Sequence, residues 1–254
     1  MSGQLYLLPC PISEAPALDA LPASTVETAR RIDHFLVEAA RTARATLKAM
    51  GHPKPIAELD IVEIGHDPAP ELISEWLQPV LDGADAAVLS ESGCPGVADP
   101  GAQIAARAHE LGICVVPLTG PSSILLTLMA SGLDGQRFRF SGYLPKHDAE
   151  RRAAILAAEK ASRASETQLF IETPYRNTAL LDALLETLAP DTRLTVAIDV
   201  TGQNESIRTL TAAAWKAIPK AMRTLPKLPT VFAFLARPGN RAPRYAPECA
   251  GGKR

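Results

Sequence analysis

Residues 90–101 form the stretch of this chain best suited to hold a ligand. The run reads SESGCPGVADPG and joins a predicted strand at 86–89 to a predicted helix. In open α/β sheets, ligands bind outside the carboxyl ends of the strands. Glycines let the backbone approach a ligand closely, and the first turn of a helix has N–H groups without partners. We therefore expect a binding loop here, although the spacing alone fits equally well a turn that serves only the fold.

Three carboxylates are candidates for accepting a proton from a substrate: Glu91, Asp99 and Glu172. Each has an alternative reading as a surface or structural residue. Asp99 precedes Pro100 and is typical of an N-cap, and Glu172 stands at a predicted strand end where it could pair with Arg176. We take Glu91 and Glu172 as the candidate catalytic residues.

Histidine and cysteine add little further chemistry. His66 and His147 could also act as bases, although a lone histidine is more often a structural or surface residue. The four cysteines are scattered, with no Cys-x-x-Cys pair and no Cys/His cluster at zinc spacing. We expect neither a metal site nor a framework of disulfides.

Short apolar strands alternate with amphipathic helices along the chain, which is typical of an α/β protein. Strands are predicted at 5–8, 35–37, 86–89, 113–118, 137–141, 168–172, 194–199 and 230–235. Helices are predicted from Ser24, whose pairing with Glu27 would form a capping box, and at 72–81, 99–111, 124–130, 149–162, 177–188 and 211–218. We place a domain boundary in the turn near residue 120, which predicts domains at 1–119 and 120–238 and a mobile tail at 239–254.

Composition places the chain among globular proteins and limits its partners. It has 254 residues, 46% hydrophobic and 21% charged, with a formal net charge of −2. Such a balance argues against binding nucleic acid by bulk electrostatics, but a local basic patch remains open. Its candidate residues are Arg151, Arg152 and Lys160, and the tail residues Arg237, Arg241, Arg244, Lys253 and Arg254. With no apolar run of about 20 residues and no targeting segment, we expect a cytoplasmic protein.

Five ordered motifs carry a resemblance to a known family. The run at 90–101 resembles the signature Ser-Asp-Ala-Gly-Thr-Pro-Gly-Ile-Ser-Asp-Pro-Gly of the 16S rRNA (cytidine-2′-O)-methyltransferases. Residues 116–122 match that family's Val-Pro-x-x-Gly-Pro-Ser, and residues 140–145 are similar to its Phe-x-Gly-Phe-Leu-Pro. The stretches at 172–176 and 199–205 resemble its Glu-Ser-Pro-His-Arg and its Glu-Leu-Thr…Glu, and His66 stands where the family has a histidine.

This resemblance implies a two-domain fold of the tetrapyrrole-methylase type, with a mainly parallel sheet in the N-terminal domain and a mixed sheet in the C-terminal domain. It also implies S-adenosylmethionine as methyl donor, RNA as partner and a homodimer. Carried over position by position, the cofactor contacts would be Pro9, Ser90, Ser92, Gly93, Val97, Asp99, Ser122, Ser123, Leu144, Glu172, Thr173 and Pro174.

Departures from the family pattern concentrate where substrate is expected. Residues 37–41 lack the Asp and Thr of the family's Ala-Glu-Asp-Thr-Arg, residues 11–15 lack its Gly-Asn turn, and Gly202 replaces a lysine. Three hypotheses therefore stay open. The chain methylates ribosomal or other RNA, it methylates a tetrapyrrole or another small substrate, or it binds the cofactor without catalysis. The RNA hypothesis predicts a positive surface, and the small-substrate hypothesis a deep cavity with polar anchors.

Overall fold

The protein was analysed as a computed structural model that describes residues 2–14 and 16–237, which form two compact units. The first unit runs to Ala130 and also contains Ala197–Ile207 and Leu228–Val231; the second contains Ser131–Val196, Arg208–Lys227 and the described residues from Phe232 onward. These units differ from the predicted domains, because the chain from 120 to 130 stays with the first unit and two later stretches return to it. The predicted tail at 239–254, with its basic residues, lies outside the described residues.

The first unit is built on a five-stranded parallel sheet in the order β3-β2-β4-β1-β5. Its strands are β1 (Gln4–Leu8), β2 (His34–Val37), β3 (Asp60–Glu63), β4 (Ala86–Leu89) and β5 (Cys114–Pro117). All residues of β2 and β4 are buried. Strands that are covered on both faces need continuous apolar runs, which is why these two are readable from the sequence.

Helices cover both faces of this sheet. They are α1 (Ala17–Ala20), α2 (Ala23–Ala29), α3 (Ala40–Ala49), α4 (Pro70–Trp76), α5 (Gln78–Leu81), α6 (Gly101–Glu110) and α7 (Ser123–Ser131). Phe35 packs into one core cluster with Leu47 of α3, whereas its neighbour Leu36 packs into a second cluster with Ile104 of α6. Alternate side chains of a strand thus reach the helices on opposite faces.

Two helix starts differ from the predictions. The predicted capping box at Ser24 does not form, because α2 begins at Ala23 behind Pro22, which already sets the extended backbone before the helix. Helix α6 begins at Gly101, one residue later than predicted, because Pro100 occupies the cap position.

The second five-stranded sheet is mixed, as predicted; its order is β6-β7-β10-β8-β9, and most of its residues belong to the second unit. Its strands are β6 (Phe138–Tyr143), β7 (Thr167–Glu172), β8 (Arg193–Ile198), β9 (Ser206–Thr211) and β10 (Thr230–Leu235), and the helices of the second unit are α8 (Asp148–Ser162), α9 (Asn177–Thr187) and α10 (Ala212–Ala217). Strands β6 and β7 are parallel. The connection between β8 and β9 is too short for a parallel crossover, so these two strands are antiparallel.

Within the described part of the chain, no helix is both long and apolar enough to cross a membrane.

Candidate ligand site at the carboxyl edge of the first sheet

The loops after β1, β4 and β5 share one edge of the first sheet, because all of its strands run in parallel. Eight of the predicted cofactor residues lie on these loops or at the start of α7: Pro9, Ser90, Ser92, Gly93, Val97, Asp99, Ser122 and Ser123. The first two loops are joined directly. The backbone N–H of Cys10 donates to the Gly93 carbonyl at 2.8 Å, and the Gly93 N–H donates to the Cys10 carbonyl at 3.2 Å.

The loop after β4 begins with a tight turn that two buried hydrogen bonds hold in place. The hydroxyl of Ser90 donates to the Gly93 carbonyl at 2.9 Å, and the Cys10 thiol donates to the Ser90 carbonyl at 2.9 Å. Gly93 has a φ of +74°, which suits glycine. Burial raises the pKa of the Cys10 thiol to about 12, so the thiol stays protonated and can donate. The side chain of Ser90 therefore shapes the turn itself.

Asp99 organises the second half of the same loop. Its Oδ1 accepts hydrogen bonds from the backbone N–H of Gly96 at 3.0 Å and of Gly101 at 2.7 Å. The carboxylate thus closes the loop and satisfies a free N–H at the start of α6, where negative charge is favoured. Asp99 therefore has a structural role, and its Oδ1 already accepts two hydrogen bonds.

The loop after β5 packs against the loop after β1. A Cβ placed on Gly120 would lie 2.2 Å from Cβ of Pro9, so only glycine allows this approach. The hydroxyl of Thr25 donates to the Thr119 carbonyl at 2.8 Å. Ser122 then starts α7, where its carbonyl accepts from the Leu126 N–H at 2.9 Å. The three loops form one connected edge of the sheet, which is the candidate ligand-binding edge.

A cavity of about 740 Å³ lies in the first unit beside this edge. It is lined by Pro11, Ile12, Ser13, Glu14, Pro16, Glu91, Ser92, Asp199, Thr201, Gly202, Gln203, Asn204, Leu228 and Pro229. Glu91 and Ser92 come from the loop after β4, so the predicted cofactor loop and the cavity are contiguous. None of these described lining residues is Lys, Arg or His, whereas Glu14, Glu91 and Asp199 are acidic.

The turn between β8 and β9, where Gly202 departs from the family pattern, forms one wall of the cavity. Thr201 has a φ of +67°, and its N–H donates to Oε2 of Glu205 at 2.7 Å. The hydroxyls of Ser13 and Thr201 lie 3.0 Å apart. These two residues are 188 positions apart in the chain, and neither was among the predicted site residues, although the family comparison marked the stretches that contain them.

Gly202 has a clear packing reason within this turn. A Cβ at this position would lie 2.2 Å from Oδ1 of Asp199, because the Asp199 carboxylate covers that side of the glycine. The carboxylate is held there by the Asn204 N–H, which donates to Oδ2 at 2.9 Å. Gly202 stands where the resembling family has a lysine, and the Asp199 carboxylate occupies the space in which a side chain would begin.

The remaining predicted residues, Leu144, Glu172, Thr173 and Pro174, belong to the second unit. Glu172 is buried, and its Oε1 accepts from the Thr173 N–H at 2.8 Å. Its Oε2 lies 3.2 Å from Nη2 of Arg176, an ion pair without hydrogen-bond geometry. The alternative reading of Glu172 as the partner of Arg176 thus has a structural basis.

Among the candidate bases that lie in the first unit, Glu91 and His66 are the exposed ones. Glu91 is exposed, and its Oε1 accepts from the Thr42 hydroxyl at 3.1 Å. Nδ1 of His66 lies 2.7 Å from Oε1 of Glu38, and this hydrogen bond is the main reason why the pKa of His66 is raised. The charges of Glu38, Asp67 and Asp99 add to the increase in this pKa.

Among the described residues, His, Cys, Asp and Glu side chains form no group of three or more that could hold a metal ion.

Comparison with known proteins identifies the family. The family of Tetrapyrrole (Corrin/Porphyrin) Methylases matches the chain over residues 17–215. The chain belongs to this family. Among solved structures, this methylase resembles the methyltransferase CobJ, with a TM-score of 0.60 and 16% identity over 95% of this chain and 98% of that one. That likeness confirms the fold.

Sequence relatives of this chain include enzymes named ribosomal RNA small subunit methyltransferase I. The protein of that name from Bacillus subtilis is 30% identical over 203 residues, which cover 80% of this chain and 65% of that protein. The one from Vibrio cholerae is 30% identical over 205 residues, covering 80% of this chain and 67% of that protein. The chain thus spans about two thirds of the length of these curated relatives.

Proposed function

We propose that this chain is an S-adenosylmethionine-dependent methyltransferase that acts on small-subunit ribosomal RNA, with a ribose 2′-oxygen as acceptor. The observation that carries the proposal is the contiguity of two features in the first unit. The loop after β4, which holds five of the twelve predicted cofactor contacts, also contributes Glu91 and Ser92 to the cavity. Donor and acceptor must meet within a few ångströms for methyl transfer, and this arrangement provides adjoining places for both.

The residues of the ligand-binding edge fit this cofactor. S-adenosylmethionine supplies a methyl group bound to a positively charged sulfur. Asp99 and Glu91 provide negative charge at the edge, and Val97 is 48% exposed and offers apolar surface beside them. Pro9, Gly93 and Ser122 would contribute backbone groups and close packing. The fit requires no metal, because positioning and electrostatics supply most of the catalysis of such a displacement.

Glu91 is the better-placed proton acceptor of the two candidate catalytic residues. A hydroxyl in the cavity would attack the methyl carbon in line with its bond to sulfur, the bonding electrons would stay on sulfur, and the hydroxyl proton would pass to the Glu91 carboxylate. Glu172 is engaged with Arg176 and Thr173, which suits a structural part in the second unit better.

A cavity with polar lining side chains is what the small-substrate hypothesis predicts, but its acidic residues weigh against a tetrapyrrole as that substrate. Tetrapyrrole substrates carry several carboxylates, which would be repelled by Glu14, Glu91 and Asp199 without any lining cation to compensate. A cofactor-binding protein without catalysis remains an outcome of the test below. A homodimer, which rests on the resemblance, and the cytoplasmic location expected from the sequence are part of the proposal.

Calorimetric titration with S-adenosylhomocysteine tests the cofactor site first. We expect binding by the wild type and at least tenfold weaker binding by Gly93→Val, whose side chain would project between Ile12 and Pro121. Gly135→Ala serves as control, because a Cβ there meets no atom within 4 Å. Equal affinities in the wild type and in Gly93→Val would contradict the proposed cofactor site.

Transfer of a labelled methyl group to small ribosomal subunits then tests the substrate. We expect label in the ribosomal RNA, on a ribose, and its loss in Glu91→Gln. Binding of S-adenosylhomocysteine without any transfer would favour a protein that only binds the cofactor. Transfer to a base would keep the RNA substrate but refute the 2′-oxygen.

A further inference from the structure

We propose that the hydroxyls of Ser13 and Thr201 bind the methyl-accepting group, and that their cavity selects an uncharged or cationic polar group over a phosphate or carboxylate. The inference rests on the proposed function, because it assigns the acceptor side of the same site. It adds two binding residues and a charge preference.

The backbone of Thr201 is the first reason. Four described residues other than glycine have a positive φ: Ala98, Ser165, Asp199 and Thr201. Thr201 is the β-branched one among them, and a β-branched residue is a conformational outlier in this region. Strain of this kind persists only where the surroundings impose it, and it clusters at ligand sites. Asp199 and Thr201 both line the cavity.

The surroundings of Thr201 are the second reason. Its N–H is held by the Glu205 carboxylate at 2.7 Å, and the Ser13 hydroxyl reaches both the Thr201 carbonyl at 3.2 Å and its hydroxyl at 3.0 Å. The turn is also anchored at its start, where the Asp199 N–H donates to the Pro229 carbonyl at 2.8 Å. The strained conformation therefore holds the hydroxyls of Ser13 and Thr201 in fixed positions at the cavity, which Glu91 also lines.

Charge gives the third reason. A phosphate entering the cavity would meet Glu14, Glu91 and Asp199, and the described lining residues include no Lys, Arg or His to neutralise it. Hydroxyls pair with neutral polar groups without that repulsion, and carboxylates accept hydrogen bonds from hydroxyls and amines. The phosphates of an RNA substrate would therefore lie outside the cavity while a neutral sugar or base edge enters.

Kinetics of three variants at position 201 test the hydroxyl. We expect Thr201→Gly and Thr201→Val to lower kcat/KM for small ribosomal subunits by about 100-fold, the loss typical of a displaced acceptor. Thr201→Ser keeps the hydroxyl and should retain activity within a few fold. Affinity for S-adenosylhomocysteine should not change, and Thr201→Gly should unfold at no lower urea concentration than the wild type, because glycine relieves the strain.

Ser165→Gly is the matched control, since Ser165 has a φ of +64° in the second unit and does not line the cavity. It should relieve strain similarly and leave methyl transfer unchanged. Full activity of Thr201→Val, or a loss that only parallels weaker S-adenosylhomocysteine binding, would overturn the assignment of the pair.

A binding measurement tests the charge preference independently of methyl transfer. If the wild type does not methylate small subunits, only the proposed substrate is refuted. The probes are uridine and uridine 3′-phosphate, added to protein saturated with S-adenosylhomocysteine, and the readout is the NMR signal of the Thr201 methyl group. We expect uridine to shift this signal and the phosphate to shift it at least tenfold less at equal concentration. Equal shifts, or no shift with either probe, would overturn the proposal.

Discussion

Replacing Gly120 with alanine would place a methyl group against the ring of Pro9. The new Cβ would lie 2.2 Å from Cβ and 2.6 Å from Cγ of Pro9. Carbon atoms in ordinary contact are about 3.5–4.0 Å apart, so the two loops would have to separate by roughly 1.3 Å or more. Both sides of this contact are anchored to backbone, which leaves no flexible side chain to move aside.

We estimate the loss of stability at about 3 kcal/mol, the upper end of the usual cost of overpacking, because neither partner can yield by changing rotamer. With a urea m-value of about 1–3 kcal/mol per molar, the unfolding midpoint should fall by about 1 M or more. The same separation would move Pro9 and Ser122, two of the predicted cofactor contacts. Affinity for S-adenosylhomocysteine should therefore fall together with stability.

Urea unfolding followed by circular dichroism, and calorimetric titration of the folded variant, measure the two effects of Gly120→Ala. The control is Gly135→Ala, where a Cβ has open space and φ is not positive, so stability should stay the same or rise slightly. If Gly120→Ala stays within about 0.5 kcal/mol of the wild type and binds with the same affinity, the close approach of the two loops is refuted.

Three further predictions concern single side chains. Asp99→Ala should cost about 2 kcal/mol of unfolding free energy in urea melts, because two loop amides lose a charged acceptor; an unchanged midpoint would deny the carboxylate this role. The imidazole of His66 should titrate by NMR above 6.5, and its midpoint should fall in Glu38→Gln; the stabilisation from this pair is complete below pH 6.5 and is lost as pH rises through the raised pKa. At about pH 8, iodoacetamide should modify exposed Cys114 but spare buried Cys10 until the protein unfolds, as read by mass spectrometry; equal rates would contradict the burial of Cys10.

Two of the four edge strands show where prediction from sequence stopped. Strand β3 (Asp60–Glu63) and strand β9 (Ser206–Thr211) were both missed, and each lies at the edge of its sheet. Their residues are largely exposed or half-buried, so they lack the apolar runs of the central strands. A short edge strand is defined by the neighbour it pairs with, and that neighbour is a matter of tertiary structure.

Local sequence also decided part of the site. The Gly-rich run at 90–101 lies on a loop at the carboxyl end of β4, as predicted, and the roles of Asp99 and of the Glu172–Arg176 pair were among the readings left open. These features depend on residues within a few positions of one another. Hydrogen bonds over such short distances follow directly from residue type and spacing.

The sequence by itself determined the class of fold, because central parallel strands must be continuous apolar runs and their binding loops must follow their carboxyl ends. Only the tertiary structure decided the acceptor side of the site. Ser13 and Thr201 meet across 188 positions, because separate stretches of chain return to the first sheet. The family pattern marked the stretches 11–15 and 199–205, but only the tertiary structure brings these two hydroxyls together.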